Sequence, residues 1–227
     1  MEELKGIDVS HWQTENKVLA EIDNCDFVII KATEGKTYTD NMFTTHLKNA
    51  MQKGKLIGVY HYARPENNNY KDEVENFLKS FSNVSGKALP ILDWEGNSWN
   101  FSIEWCINWL DYFYEKTGIK PVLYISASRY KNLPQYIKDN YPLWIASYGT
   151  NDGTRQDKAL SKYVPTEFVT MWQYTSKPLD RDIFFGNAEK WKTMCRNNKV
   201  EMKANKETIL EKINNILFNI EEIERLL

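Results

Sequence analysis

Short apolar segments alternate with helical segments along this chain, and this alternation constrains the fold more than any other feature. Seven short apolar segments predict strands, at residues 4–8, 26–31, 56–62, 89–93, 121–125, 143–146 and 168–174. Three segments with apolar residues at helical spacing predict helices, at residues 40–53, 70–81 and 102–116. Gly54 and Gly118 follow two of these helices, and glycine commonly ends a helix.

Strands that alternate with helices predict an α/β fold with a parallel sheet. A short eighth strand at residues 180–184 favours a closed β/α barrel over an open sheet. Residues 147–165 show little helical periodicity. We therefore expect an irregular β/α barrel of about eight strands with fewer than eight helices. No G-x-G-x-x-G sequence follows the first strand, so a dinucleotide-binding fold has no support.

Acidic residues stand at the ends of several predicted strands. Asp8 ends the first strand, Asp93 and Glu95 end the fourth, and Asp180 begins the eighth. The first and last strands of a closed barrel are neighbours, so Asp8 and Asp180 can approach each other; the alternative is that Asp180 is a turn residue after Pro178. A carboxylate at the end of a buried strand is costly to desolvate unless it has partners or a catalytic role. Carboxylates at one barrel rim therefore predict an active site.

Asp93 and Glu95 lie two residues apart, so their side chains share one face of the strand. Two carboxyl groups held this close disfavour joint ionisation, so one of them keeps its proton to a higher pH. That group can donate a proton to a glycosidic oxygen, while the other stays anionic and stabilises positive charge on the sugar. The pair therefore predicts a sugar-cleaving enzyme.

Composition narrows the classes of partner. The formal net charge is −2, with 29 basic and 31 acidic residues, which argues against nucleic acid. Cys25, Cys106 and Cys195 form no C-x-x-C pair and predict free thiols in a reducing compartment. The histidines lack metal-ligand spacing, so we expect no metal and no cofactor. We expect His11 and His61 to form hydrogen bonds with the acidic site residues.

The N-terminal residues lack the basic and apolar regions of a signal peptide, and no segment reaches the length of a membrane span. We therefore expect synthesis in the cytoplasm without a signal peptide, and no membrane insertion.

Residues 197–227 differ from the rest of the chain. Apolar residues at gaps of four and three predict a C-terminal amphipathic helix with a heptad seam, at Ile209, Ile213, Ile216, Ile220, Ile223 and Leu227. Isoleucine at both seam positions favours a bundle of more than two helices, so we expect residues 203–227 to form a homo-oligomer. The alternative is one helix docked on the barrel. The predicted domains are a catalytic barrel at residues 1–196 and a helical tail at residues 197–227.

Six motifs follow one another in a fixed order along the chain. They are Gly6–Gln13 (GIDVSHWQ), Phe27–Gly35 (FVIIKATEG), Gly58–Arg64 (GVYHYAR), Pro90–Glu95 (PILDWE), Pro142–Ala146 (PLWIA) and Trp172–Thr175 (WQYT). Together they resemble glycoside hydrolase family 25, the Chalaropsis-type lysozymes, over roughly residues 4 to 190. The tail after Lys199 lies outside this resemblance.

The resemblance implies an irregular β/α barrel that hydrolyses the β-1,4 bond between N-acetylmuramic acid and N-acetylglucosamine in peptidoglycan. By motif match Glu95 is the general acid, and Asp93 stabilises the developing positive charge or orients the N-acetyl group of the substrate. Asp8 and Asp180 match the other acidic positions. The family usually shows V-D-x-N-x-F around the last of these, whereas this chain has Asp182 in place of the asparagine. We expect Asp180 to be the aspartate that faces the cleft.

Two mechanisms remain open, and both retain the configuration of the sugar. Asp93 attacks as the nucleophile in one, and the 2-acetamido oxygen of the substrate attacks in the other. The closely spaced D-x-E pair resembles the substrate-assisted arrangement, which we favour.

Several side chains near the strand ends are candidates for substrate binding. The aromatic candidates for stacking on sugar rings, which could instead be packing residues, are Tyr60, Tyr62, Tyr124, Tyr148, Trp172 and Tyr174. Lys31 and Glu34 are expected to contact substrate or to pair with each other. Arg64 is expected to meet a muramoyl carboxylate or to cap a helix.

These features favour a muramidase that acts on the glycan strands of bacterial peptidoglycan. We expect a phage endolysin, made in the host cytoplasm and active at the cell wall after release; a bacterial autolysin is the alternative. A peptidoglycan-binding protein without catalysis is a further alternative, and the paired acidic residues argue against it.

Overall fold

The computed structural model describes residues 2–196 and Ile213. The predicted tail helix, and the homo-oligomer expected from residues 203–227, lie outside the described residues except for Ile213. Within the described part, no helix is long and apolar enough to cross a membrane. The three cysteines are buried free thiols.

Residues 2–196 form nine strands and seven α-helices. The strands are β1 Leu4–Val9, β2 Phe27–Glu34, β3 Tyr38–Thr39, β4 Leu56–Tyr62, β5 Ala88–Asp93, β6 Val122–Ser126, β7 Leu143–Ala146, β8 Met171–Thr175 and β9 Arg181–Phe184. The helices are α1 Glu15–Ile22, α2 Phe43–Gln52, α3 Tyr70–Phe81, α4 Ile103–Thr117, α5 Gln135–Asn140, α6 Asp157–Ser161 and α7 Ala188–Met194. The sequence patterns did not predict α1, α5, α6, α7 or β3. Several of these elements are too short to show a period.

Eight of the strands close into a barrel. Hydrogen-bonded neighbours follow the order β1-β9-β8-β7-β6-β5-β4-β2, and β1 also pairs with β2. β3 pairs antiparallel with β2 and lies outside this ring. The predicted irregular barrel of about eight strands is confirmed, and seven α-helices lie within residues 2–196.

The predicted parallel sheet is present in seven of the eight barrel strands, and β9 is the exception. β9 runs antiparallel to both β1 and β8. Only residues 176–180 connect β8 to β9. A parallel crossover needs a dozen or more residues, so this short loop can return the chain only in the opposite direction. Asp180 therefore lies at the same barrel rim as the ends of the parallel strands, although it precedes its own strand.

Side chains alternate between the barrel interior and the layer beneath the helices, as the two-residue period of a strand requires. The interior is filled by Phe27, Ile29, Leu89, Ile91, Val122, Trp144, Met171 and Phe184. Trp191 of α7 packs against Phe27 and Phe184 and closes the N-terminal end of the barrel. A Cβ atom at Gly6 would lie 2.2 Å from the Phe27 ring, so this position admits only glycine. The opposite end of the barrel interior carries polar side chains instead.

Candidate active site

A cavity of about 220 Å³ opens at the C-terminal rim of the parallel strands. The strand period turns the last inward side chain of each strand toward this space. The cavity brings together the four predicted acidic residues, Asp8, Asp93, Glu95 and Asp180. Its other walls include Trp12, Gln13, Tyr60, Tyr124, Trp144, Tyr148 and Gln173.

Asp93 and Glu95 form the predicted carboxyl pair at the end of β5. Asp93 is 7% exposed, whereas Glu95 is half-buried. Burial raises the pKa of Asp93 well above its usual range and the charge of Glu95 raises it further, while Lys31 lowers it. Burial also raises the pKa of Glu95, against the opposing charge of Lys31. Trp94 points outward and stacks on Trp105, so the strand end is anchored between the two carboxyl groups.

Asp8 is held by a hydrogen-bond network that the sequence did not reveal. Gln173 of β8 donates from Nε2 to Oδ2 of Asp8 at 2.6 Å. Oε1 of the same amide accepts from the hydroxyl of Tyr124 at 2.8 Å and from the hydroxyl of Tyr148. Two hydroxyl donors on Oε1 leave the N–H group to face Asp8. Burial raises the pKa of Asp8, and the hydrogen bond from Gln173 opposes this rise.

Two aspartates approach Asp8 from the start of β9. Asp180 lines the cavity, and burial raises its pKa to about 6. Asp182 is completely buried, and its Oδ1 accepts from the indole N–H of Trp144 at 3.0 Å. Asp180 therefore borders the cavity, and Asp182 lies beneath it.

A second hollow, which we call the cationic hollow, adjoins the cavity and is lined by His11, Trp12, Lys31, Glu34, Tyr38, Tyr62 and Arg64. Lys31 Nζ lies 2.6 Å from Oε2 of Glu34, and Arg64 Nε donates to Oε1 of Glu34 at 2.6 Å. Both cations also lie over the ring of Tyr62, at 4.8 Å and 5.0 Å from its centre. The predicted pairing of Lys31 with Glu34 is therefore present, and Arg64 binds a side chain instead of capping a helix.

A third hollow, the neutral hollow, borders Glu95 and is otherwise rich in hydroxyl groups, from Tyr124, Ser126, Ser128, Ser147, Tyr148 and Tyr163. Strand order places β2 and β4 on one side of β5, and β6 and β7 on the other. The cationic and neutral hollows therefore lie on opposite sides of the carboxyl pair. Together with the cavity they form a groove with a charged end and an uncharged end.

Two predicted substrate-binding residues lie elsewhere. Trp172 is 1% exposed, and its indole N–H donates to the carbonyl oxygen of Ser147 at 2.8 Å. Tyr174 packs beside Trp172 on the same outer face. Because Gln173 faces the cavity, its two neighbours on β8 must point outward. Neither residue lines the groove.

The prediction that His11 and His61 form hydrogen bonds with the acidic site residues was also wrong. His11 Nδ1 lies 2.8 Å from Oδ2 of Asp40, and His61 Nε2 lies 2.8 Å from Oε2 of Glu73. Neither acidic partner belongs to the carboxyl cluster. Sequence spacing gives no hint of these pairs, which join residues of different elements.

Gln173 and Trp12 are the main groove residues that the sequence patterns missed. Trp12 is 80% exposed and lines both the cavity and the cationic hollow, which is unusual for so large an apolar side chain. The strand period offered one signal, since a polar Gln173 between two aromatic residues indicates an inward polar position.

The site is suited to acid–base chemistry. Across residues 2–196 and Ile213, no group of three or more His, Cys, Asp or Glu side chains is arranged to hold a metal ion. The described groove instead contains a half-buried Glu95 next to a buried Asp93. Two such carboxyl groups can protonate a leaving oxygen and stabilise positive charge.

Comparisons with known proteins agree with this chemistry. Residues 7–183 match the family described as glycosyl hydrolases family 25. Lysozyme M1 of Streptomyces globisporus is 29% identical in an alignment that covers 86% of this chain and 72% of that protein. The N,O-diacetylmuramidase of Chalaropsis sp is 28% identical in an alignment that covers 66% of this chain and 81% of that protein.

Comparison of the fold with solved structures indicates the same family. The structure of a family GH25 lysozyme from Aspergillus fumigatus aligns with a TM-score of 0.70 at 28% identity, covering 86% of this chain and 99% of that chain. The family match begins in β1, ends in β9 and includes every residue of the carboxyl cluster. This chain therefore belongs to glycosyl hydrolase family 25 and is a glycoside hydrolase.

Proposed function

We propose that this glycoside hydrolase is a muramidase that cleaves the β-1,4 bond between N-acetylmuramic acid and N-acetylglucosamine in bacterial peptidoglycan. The observation that carries the proposal is the Asp93–Glu95 pair at the end of β5, inside a rim cavity that also holds Asp8 and Asp180. The relatives named lysozyme and N,O-diacetylmuramidase support the same substrate.

Glu95 is the general acid in this proposal. It borders both the cavity and the neutral hollow, so it can reach an oxygen that joins two sugars across them. Burial raises its pKa, so Glu95 keeps its proton to a higher pH than a solvated glutamate does. It can therefore protonate the departing glycosidic oxygen and then accept a proton from the attacking water.

Asp93 acts on the sugar that carries the developing positive charge. We favour the route in which the 2-acetamido oxygen of the substrate attacks and Asp93 holds the acetamido group. The two-residue spacing of Asp93 and Glu95 supports this route, because it resembles the substrate-assisted arrangement. A covalent sugar adduct on Asp93, trapped and located by mass spectrometry of peptides, would overturn this assignment.

The groove supplies the binding contacts. Tyr60, Tyr124 and Tyr148 line the cavity and offer ring faces and hydroxyl groups to the sugars. In the cationic hollow, Tyr62 and the Lys31–Glu34–Arg64 cluster are placed to contact polar groups of the glycan or of its attached peptide. Trp172 and Tyr174 have no part in this proposal, because they face away from the groove.

The test is digestion of purified peptidoglycan by the wild-type chain and by Glu95→Gln, with mass spectrometry of fragments after borohydride reduction. Glu104→Gln is the matched control, since it removes an exposed carboxylate at the start of α4. We expect reduced muramic-acid ends from the wild type and the control, and a loss of at least 100-fold in Glu95→Gln. Reduced glucosamine ends would mean that the other bond is cut, and no fragments from folded wild type would favour a non-catalytic binder.

We further propose that the muramidase is a phage endolysin, with a bacterial autolysin as the alternative. Three buried free cysteines suit synthesis in a reducing compartment. The test is intracellular expression in a susceptible bacterium, with turbidity followed before and after the membrane is permeabilised with chloroform. An endolysin lyses the cells only after permeabilisation, whereas spontaneous lysis through export would favour an autolysin.

We also propose that the tail, residues 197–227, is a separate helical region that joins copies of the barrel, since its isoleucine seam favours a bundle. Clustered barrels would gain avidity for a polymeric substrate. Light scattering on the full chain and on residues 1–196 tests this. An equal number of chains per particle in both would rule it out.

A further inference from the structure

Asp182 has no role in the chemistry above, although its carboxyl group lies directly beneath the active site. Its side chain is completely buried inside the barrel, between β1 and β8. Oδ1 accepts the indole N–H of Trp144 at 3.0 Å. Oδ2 has no N–H or hydroxyl donor among the described residues. The carboxyl group of Asp8 comes close enough to Asp182 for the two side chains to share a hydrogen bond when one of them is protonated.

Two carboxylate anions cannot share a hydrogen bond, because an ionised carboxylate has only acceptor oxygens. A hydrogen bond between Asp8 and Asp182 therefore requires a proton on one of them. No lysine, arginine or histidine of the described chain forms an ion pair with either group, so no cation can compensate a second negative charge.

The surroundings favour Asp182 as the holder of this proton. Asp8 borders the cavity and already accepts the N–H of Gln173, which stabilises its anion. Asp182 is sealed from solvent, and burial together with the charges of Asp8 and Asp180 raises its pKa. On the cavity side, the other titratable group that feels the charge of Asp182 is the hydroxyl of Tyr148, which supplies no positive charge.

We propose that Asp182 is a positioning residue that works as a neutral carboxylic acid, donating its proton in a hydrogen bond to Asp8 and holding that side chain as an anion at the cavity floor. Asp8 then receives two donors, the Gln173 amide from β8 and the Asp182 hydroxyl from β9. The catalytic consequence rests on the proposed function, whereas the proton on Asp182 rests on its burial and on the approach of Asp8.

The first test measures unfolding of the wild type and of Asp182→Asn by denaturant between pH 4 and pH 8. A buried acid that keeps its proton when folded loses it on unfolding, so the folded state loses stability as pH rises above the unfolded pKa. Asparagine has no such proton. We expect the ratio of the two unfolding constants to change by up to tenfold per pH unit, with Asp182→Asn more stable at high pH. Asp139→Asn, an exposed aspartate of α5, is the matched control and should give a constant ratio.

A constant ratio for Asp182→Asn, or a lower stability of this variant at pH 8, would overturn the neutral acid. Activity on peptidoglycan supplies the second test. Asparagine still offers an N–H donor to Asp8, so Asp182→Asn should keep at least a third of wild-type activity per folded molecule. Asp182→Leu has a similar size but no donor and should lose at least tenfold. Loss of activity in both variants would overturn the positioning role. An inactive wild type with the expected pH-dependent ratio would instead refute the proposed function and leave the neutral acid standing.

Discussion

Replacing Gln173 by leucine tests whether Asp8 works as an anion. Leucine removes the 2.6 Å hydrogen bond from Nε2 to Oδ2 of Asp8 and places no charge in the barrel. That hydrogen bond lowers the pKa of Asp8 against the effect of burial. Its loss therefore raises the pKa of Asp8 further, and the ionised form becomes scarcer at any acidic pH.

The size of the effect follows from the chemistry of the bond. A hydrogen bond to a charged group contributes about 1.5–3 kcal/mol, which corresponds to a roughly 10- to 150-fold change in an equilibrium constant. Activity of Gln173→Leu should fall by this factor at low pH and recover toward wild type as pH rises. The variant also leaves the buried hydroxyl of Tyr124 without its acceptor, which costs about 1–3 kcal/mol of folding stability.

The assay is the initial rate of peptidoglycan solubilisation from pH 4 to pH 9, expressed per folded molecule from parallel unfolding curves. Tyr174→Phe is the matched control, since its ring lies on the outer face of the same strand, and its profile should equal that of the wild type. A displacement of the acidic limb of the Gln173→Leu profile to higher pH supports the reasoning. An equal loss at every pH, or no loss at all, would refute it.

Three further variants probe other parts of the site and the barrel. Burial raises the pKa of Asp180 to about 6, so Asp180 binds a proton on folding when the pH lies between its unfolded pKa and 6. At higher pH the folded protein must bury an ionised Asp180, which lowers its stability. Asp180→Asn should therefore gain on the order of 2 kcal/mol of stability at pH 7 relative to pH 4, measured by denaturant unfolding; a gain that is equal at both pH values would contradict the shift. His61→Ala removes a buried ring that bonds Thr33 and Glu73 at 2.8 Å each, and should lose roughly 3–5 kcal/mol by the same measurement while activity per folded molecule persists. Trp12→Ala should change stability by less than about 0.5 kcal/mol, because the ring is 80% exposed, yet raise KM for soluble glycan fragments; an unchanged KM would remove Trp12 from the groove.

The barrel and its carboxyl pair could be predicted from sequence because both depend on patterns of neighbouring residues. The apolar run Ala88–Asp93 predicts a buried strand, and the D-x-E spacing places two acids on one face of it whatever the partner strands are. The direction of β9 could not be predicted in this way. Its sequence is compatible with either direction, and only the five-residue loop before it forces the antiparallel pairing.

The side-chain partners were the least predictable part of the site. Trp172, Gln173 and Tyr174 are consecutive, and which of them faces the cavity depends on a register that the β7 and β9 pairings fix. A one-residue shift would have exchanged their places. The same limit applies to His11 and His61, whose acidic partners come from other elements.

The sequence by itself determined the α/β architecture, the strand ends that carry the acids and the pairing of Asp93 with Glu95, because periodicity and spacing are properties of neighbouring residues. Only the tertiary structure decided that Gln173 and Asp182 converge on Asp8, and that a charged hollow and a neutral hollow flank Glu95. Barrel closure brings residues 8, 173 and 182 together, and the energies that set their protonation depend on burial and on distances that no local pattern contains.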